Sequence, residues 1–245
     1  MRNLRIERIA LAGGIVFAIG QIAATAFFLA AVAPHLPAIA APLADQQTFY
    51  STFKDLNELV AFLFIVPVAF LLPFLAATQA IVKRLEGDLE ILTALTGTAA
   101  AALVMVWPMG IVIATAGQSM AARGLDPATV VTFDSVAQLM LGLAGIPRAA
   151  LLAGVSLAML PAGGSLKALG VGGLVLAVMA LLSVGTLLSD GLYFVAAIDT
   201  LLFAIWVALV AATLLARDSA TLPSTEPNHP ATPEPMLIGG QLRAQ

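Results

Sequence analysis

Long apolar runs without any charged residue dominate the chain. Residues 9–44 contain no Asp, Glu, Lys or Arg, and the same holds for residues 59–82, 91–122, 149–166 and 168–189. A helix needs ~20 apolar residues to cross a hydrocarbon core of ~30 Å. The pattern therefore predicts six membrane-spanning helices, at roughly residues 9–33, 59–82, 91–115, 136–161, 168–189 and 192–216.

Composition excludes a soluble globular protein. Of the 245 residues, 60% are apolar and only 10% are charged, whereas about 25% are charged in a typical soluble domain. The predicted fold class is all-α, a polytopic transmembrane helical bundle of six spans.

Three arginines precede the first span, as in a signal peptide, but its apolar stretch exceeds the ~7–15 residues of a signal-peptide core. We therefore expect an uncleaved first span.

Lysines and arginines indicate the orientation, because they accumulate on the cytoplasmic side. With the N-terminus inside, the cytoplasmic side carries eight of the 11 basic residues and the outer side only Lys54 and Arg123; the last, Arg148, lies within a span. Both termini are then cytoplasmic. The outer side is acidic, which predicts either a cation-attracting vestibule or an ordinary solvated rim; its acids are Asp45, Asp55, Glu58, Asp126, Asp134 and Asp190.

The chain divides into a membrane domain and a tail. Residues 1–216 form the predicted six-span domain. Residues 217–245 contain five prolines among Ser, Thr and Glu, a composition that cannot bury a core and predicts a disordered cytoplasmic tail.

Two irregular elements are expected within the membrane domain. In the long outer loop, Phe49, Phe53 and Leu56 recur at helical spacing, which favours a short helix at the membrane surface. Near the fourth span, a helix beginning at Pro127 would be too long to cross the bilayer straight, and residues 142–147 include two glycines and Pro147. We expect a break there, and further kinks at Pro67, Pro73 and Pro108.

Two charges within predicted spans are the main candidate site. Arg148 lies near the middle of the fourth span and Asp199 lies inside the sixth. A charge at the centre of a bilayer costs ~2.5–3.5 kcal/mol on insertion scales, and arginine does not lose its proton. We therefore expect the two side chains to meet inside the bundle, either as a polar binding site or as a static ion pair that sets the helix register.

The positions of three further polar residues indicate that they belong to the same candidate site. Gln21 lies midway along the first span, where it would line a pathway or bond two helices together. Glu58 opens the second span and Asp134 precedes the fourth, so both are expected near the outer side. They would complete a polar cluster with Arg148 or remain at the surface.

Several chemistries are excluded by residues that the chain lacks. It has no cysteine and only two histidines, one of them in the tail, and no lysine lies inside a predicted span. Thiol chemistry, bis-histidine haem ligation and a retinal Schiff base are therefore excluded, and no zinc-protease or phosphate-loop motif occurs. We expect no catalytic residue, no cofactor, no metal and no nucleic-acid partner.

Two functions of different class fit these observations. The first is a small-solute or ion permease or channel-like protein of a bacterial cytoplasmic (inner) membrane, with Arg148 and Asp199 at its centre. The second is a non-catalytic assembly subunit that binds a membrane-protein partner or a second copy of itself. A lipid-modifying enzyme using Glu58, Asp134 and Arg148 is disfavoured, because no histidine or lysine base lies within the spans.

Overall fold

A computed structural model describes residues 2–37, 41–87, 90–124, 126–187 and 193–220 of the chain, and most of these residues are in α-helices. Short 3₁₀ turns follow three of the helices. The helices are α1 (Arg2–Ala31), α2 (Leu43–Thr52), α3 (Lys54–Ile65), α4 (Val68–Glu86), α5 (Ile91–Ala122), α6 (Pro127–Leu143), α7 (Gly145–Met159), α8 (Gly164–Ser183) and α9 (Tyr193–Ala220).

In the part of the chain that the structure describes, six helical segments are long and apolar enough to cross a membrane, which confirms the predicted helical class and the predicted number of candidate spans. The second segment begins five residues before its predicted start, because α3 continues without a break into the outer loop. In addition, α9 runs through Ala220 and so includes the first residues of the predicted tail, whereas residues 221–245 lie outside the described part. The segments are Arg5–His35, Lys54–Glu86, Ile91–Ala122, Ser135–Ala162, Gly164–Ser183 and Val195–Arg217.

The six spans form a closed ring. Each span packs against the next along the chain, and α1 packs against α9, so the first span also contacts the last. Across the ring, α4 touches α7. The span formed by α6 and α7 is the most buried of the six, which places its side chains nearest to the centre of the bundle.

The two ends of the bundle differ in the helices that meet there. The first face is where α1 begins, α4 ends and α5 begins. Glu86 accepts hydrogen bonds there from the backbone N–H groups of Leu92 and Thr93, at 2.6 and 2.7 Å. These groups have no partner within α5, so Glu86 caps that helix. The second face is the opposite end, where α1 ends and α3 begins.

Two of the candidate spans are interrupted within their length, each within three residues of a proline. The second is interrupted between α3 and α4, where Pro67 has no N–H to donate. The fourth is interrupted at Ala144, three residues before Pro147, inside the segment where the sequence predicts a break. In contrast, α4 and α5 continue unbroken through Pro73 and Pro108.

A short helix is present in the predicted loop and is docked on the bundle, but it ends at Thr52, so Phe53 and Leu56 lie beyond it. This helix, α2, packs against α3, α5 and α6. Its Phe49 is buried in a small apolar cluster with Val32 and Val60, from the second-face ends of α1 and α3. The aromatic spacing that predicts a membrane-surface helix therefore also supplies a side chain that anchors it to the protein.

Close packing of α7, α8 and α9 depends on a glycine in α8. A Cβ added at Gly173 would overlap Ser156 Oγ of α7 and lie 2.9 Å from Trp206 Nε1 of α9, whereas a Cβ at the adjacent Gly172 would meet nothing within 4 Å. Small residues at such contacts let helices approach closely in a membrane.

Gly173→Leu should therefore lower the stability of the bundle by about 1–3 kcal/mol, because the added side chain has no space between the three helices. Thermal unfolding in detergent would measure the loss. Gly172→Leu is the matched control, since it changes helix propensity equally without the clash. Equal effects of the two variants would contradict the close approach at Gly173.

Candidate functional site

The two charges predicted to meet do so in the interior. Arg148 Nη1 donates a hydrogen bond to Asp199 Oδ2 at 2.5 Å. The arginine is 3% exposed and the aspartate is fully buried. Arg148 Nη1 also donates to Thr200 Oγ1 at 3.0 Å, and that hydroxyl donates to the carbonyl of Ala196 at 2.9 Å. The guanidinium is thus paired with an opposite charge and a neutral oxygen from the same helix.

The backbone around Arg148 explains how its side chain reaches the interior. Arg148 follows Pro147 within the first turn of α7, just after the break in the fourth span. A Cβ at Gly145 would overlap the carbonyl oxygen of Ala180, so α7 approaches α8 closely at this level. Among the described residues, α7 and α9 make little direct backbone contact. The long arginine side chain therefore bridges the space between these two helices.

Aromatic rings surround the guanidinium. Arg148 Cζ lies 5.4 Å from the ring centroid of Trp107 and 5.6 Å from that of Phe203. Phe17 contacts both rings edge-on, with centroid distances of 6.0 and 6.1 Å. A desolvated cation over an aromatic ring gains about 2 kcal/mol, so the rings compensate part of the cost of burying this charge.

Gln21 lies in the same layer as Asp199. α1 and α9 run in opposite directions and pack together, and Phe17 contacts Phe203 between them. One helical turn from that contact toward the second face, α1 carries Gln21 and α9 carries Asp199. Both residues are at most 1% exposed. The amide of Gln21 donates to the carbonyl oxygen of Phe64 at 2.8 Å, just before the break at Pro67.

Several polar atoms in this region are buried without a hydrogen-bond partner. They are Gln21 Oε1, Asp199 Oδ1, Arg148 Nε and Asn57 Nδ2. Two of these atoms accept hydrogen bonds and two carry N–H donors. The ion pair is therefore electrically balanced but retains unused hydrogen-bonding capacity on both sides.

A partly open cavity of about 320 Å³ lies next to the ion pair, in the half of the bundle toward the second face. Thr200 and Trp107, which both contact Arg148, contribute to its wall. The other polar lining residues are Asn57, Thr115 and Gln118, and the rest of the wall is apolar, formed by Phe28, Val60, Ala61, Phe64, Ile111, Ala114 and Leu141. The cavity thus ends beside the guanidinium, separated from it by these two side chains.

The remaining predicted site residues lie elsewhere or are not described. Glu58 is exposed near the second face, where it accepts a hydrogen bond from Ser119 Oγ at 2.9 Å and lies 3.8 Å from Lys54 Nζ. Asp134 is on α6, but its side chain is outside the described part of the structure. Among the residues that are described, no group of three or more His, Asp or Glu side chains could hold a metal ion.

Sequence reasoning missed three residues that contact Arg148: Trp107, Thr200 and Phe203. For Trp107 the sequence did contain a signal. Tryptophans of membrane proteins concentrate at the interfaces, whereas Trp107 lies in the middle of a helix long enough to span the membrane. Helical periodicity places Phe203 on the same face as Asp199, one turn away, but does not show that it contacts Arg148. Thr200 carried no such signal, since hydroxyl residues are common in membrane helices.

The ion pair predicts a specific pattern of stability. Arg148→Gln or Asp199→Asn alone should destabilise the protein by about 3–5 kcal/mol, because each leaves a buried charge without its partner. The double variant Arg148→Gln/Asp199→Asn should be more stable than either single variant, because it leaves no buried charge without a partner. Unfolding in detergent measures all four proteins, and strictly additive losses would show that the two residues do not interact.

Comparison with protein-family models, with curated proteins and with solved structures finds no match to this chain. Function is therefore inferred from the ion pair, the rings around it and the cavity beside it.

Proposed function

We propose that this multi-pass membrane protein is a small-solute permease or channel-like protein of a bacterial cytoplasmic membrane. The observation that carries the proposal is the position of the cavity. It occupies the half of the bundle toward the second face and ends at Thr200 and Trp107, both in contact with the buried Arg148. A solute in this cavity would lie beside the most polar group in the interior.

The interior is packed differently on the two sides of the ion pair, and this difference supports the proposal. Toward the first face the core consists mainly of buried apolar side chains such as Leu11, Phe74 and Met159, each at most 1% exposed, with three buried hydroxyl side chains, Thr78, Thr96 and Ser156, among them. A bundle with a cavity on one side of its polar centre and tight packing on the other has the form of a permease closed at one end. Transport would require the packed half to open.

Charge distribution supports an orientation with both termini in the cytoplasm. The first face carries Arg5, Arg8, Lys83 and Arg84, whereas acidic side chains outnumber basic ones near the second face. Since basic residues accumulate on the cytoplasmic side, the cavity would face outward. Solutes would then enter from the exterior.

Uptake into proteoliposomes tests the proposal. Vesicles containing the protein would be challenged separately with potassium, acetate, glycine, urea and glycerol. We expect uptake of at least one of these solutes above the rate of protein-free vesicles. The double variant Arg148→Gln/Asp199→Asn should reduce that uptake about tenfold or more, because it removes the charges but leaves amides of similar size.

Gly172→Leu is the control variant, since its side chain points away from the rest of the bundle, and it should transport like the unmodified protein. Full transport by the double variant would show that the ion pair is only structural. Absence of any uptake, together with a stoichiometric membrane partner retained in mild detergent, would instead support an assembly subunit.

A further inference from the structure

The geometry points to an uncharged solute that both donates and accepts hydrogen bonds, such as a polyol or a small amide, as the substrate class. This inference rests on the proposed permease function and narrows it. Three properties of the site carry it: the neutrality of the buried pair, the mixture of unused donors and acceptors, and the lining of the cavity.

The charges of the site are already matched. Arg148 and Asp199 are in direct contact, at 2.5 Å between Nη1 and Oδ2. An anion bound to the free N–H groups of Arg148, or a cation bound to the free Oδ1 of Asp199, would add a net charge to a pair that is already neutral. A net charge without a counter-charge in a low-dielectric interior is strongly unfavourable. An uncharged solute can bind beside the pair without breaking it.

The aromatic rings that contact Arg148 also disfavour the binding of an anion. Trp107 and Phe203 lie within 5.6 Å of Arg148 Cζ, so they cover the guanidinium instead of leaving it open to the cavity. Of these two rings, that of Trp107 also lines the cavity, so an anion there would meet an aromatic side chain instead of the positive charge. Uncharged molecules with C–H surfaces pack favourably against such rings.

The unused hydrogen-bonding atoms are of both kinds. Asn57 Nδ2 and Arg148 Nε are donors without acceptors, and Gln21 Oε1 and Asp199 Oδ1 are acceptors without donors. Leaving such a group buried and unpaired costs about 1–3 kcal/mol. Of these four residues, Asn57 lines the cavity, together with the polar side chains of Thr115, Gln118 and Thr200, and no charged side chain is among its described lining residues. Hydroxyl and amide groups of a solute match such a neutral polar lining, whereas an ion would find no counter-charge in it.

These atoms occur at different depths. Asn57 itself lines the cavity, although it is only 7% exposed. Gln21 lies behind Phe64, to whose carbonyl oxygen it donates, and the ion pair lies behind Thr200. A solute in the cavity would therefore contact Asn57 directly, whereas Thr200 and Trp107 separate it from the ion pair. The volume of about 320 Å³ equals that of roughly ten waters in the liquid, which accommodates a molecule the size of glycerol or erythritol.

Replacement of Asn57 tests this assignment. Asn57→Leu keeps a similar volume but removes the free donor, so permeability to glycerol, erythritol and urea should fall about tenfold while stability is maintained or raised. Thr78→Val is the matched control: Thr78 is also buried with an unpartnered polar atom, but it is not part of the cavity wall. This variant should transport normally.

Stopped-flow light scattering of proteoliposomes would measure swelling in each uncharged solute, and potassium and acetate fluxes would be measured in the same vesicles. We expect swelling without either ion flux. Transport of an ion with exclusion of all three uncharged solutes would overturn the substrate class but leave the permease function intact. Unchanged swelling by Asn57→Leu would also overturn this inference, and absence of every flux would overturn the permease function with it.

Discussion

The rest of the structure depends on keeping one guanidinium inside an apolar bundle. Arg148 keeps its proton and therefore its positive charge. The fold must therefore place a negative charge and other favourable contacts around the guanidinium. Asp199 provides the charge, Thr200 a second oxygen, and Trp107 and Phe203 the aromatic surface. These groups come from α5 and α9, while Arg148 comes from α7. The ion pair therefore joins helices that the ring of neighbouring contacts alone does not bring together.

Irregular backbone and polar side chains occur together in this bundle. Interruptions of a helix at membrane depth are tolerated where they are buried in protein or line a cavity. The break at Pro67 lies beside Phe64, whose carbonyl oxygen accepts a hydrogen bond from Gln21. The break at Ala144 precedes Arg148 by one turn. Both interruptions thus adjoin the polar centre and help to place its side chains.

The polar centre divides the interior into two unlike halves. The half toward the second face contains the cavity, and the half toward the first face is closely packed with apolar side chains. Packing on the first side excludes water from the ion pair and strengthens its attraction. On the other side, the cavity ends at Thr200 and Trp107, which both contact Arg148.

The sequence by itself determined the helical class, the six spans and the burial of both Arg148 and Asp199, because length, hydropathy and the cost of an intramembrane charge are local properties. It also located the break before Pro147. Only the tertiary structure decided that Trp107 and Phe203 cover the guanidinium, that Gln21 shares a layer with Asp199, and that Glu58 contacts Ser119. Helical periodicity defines which face a residue occupies but not which helix lies opposite, and that choice is made by packing among all six spans.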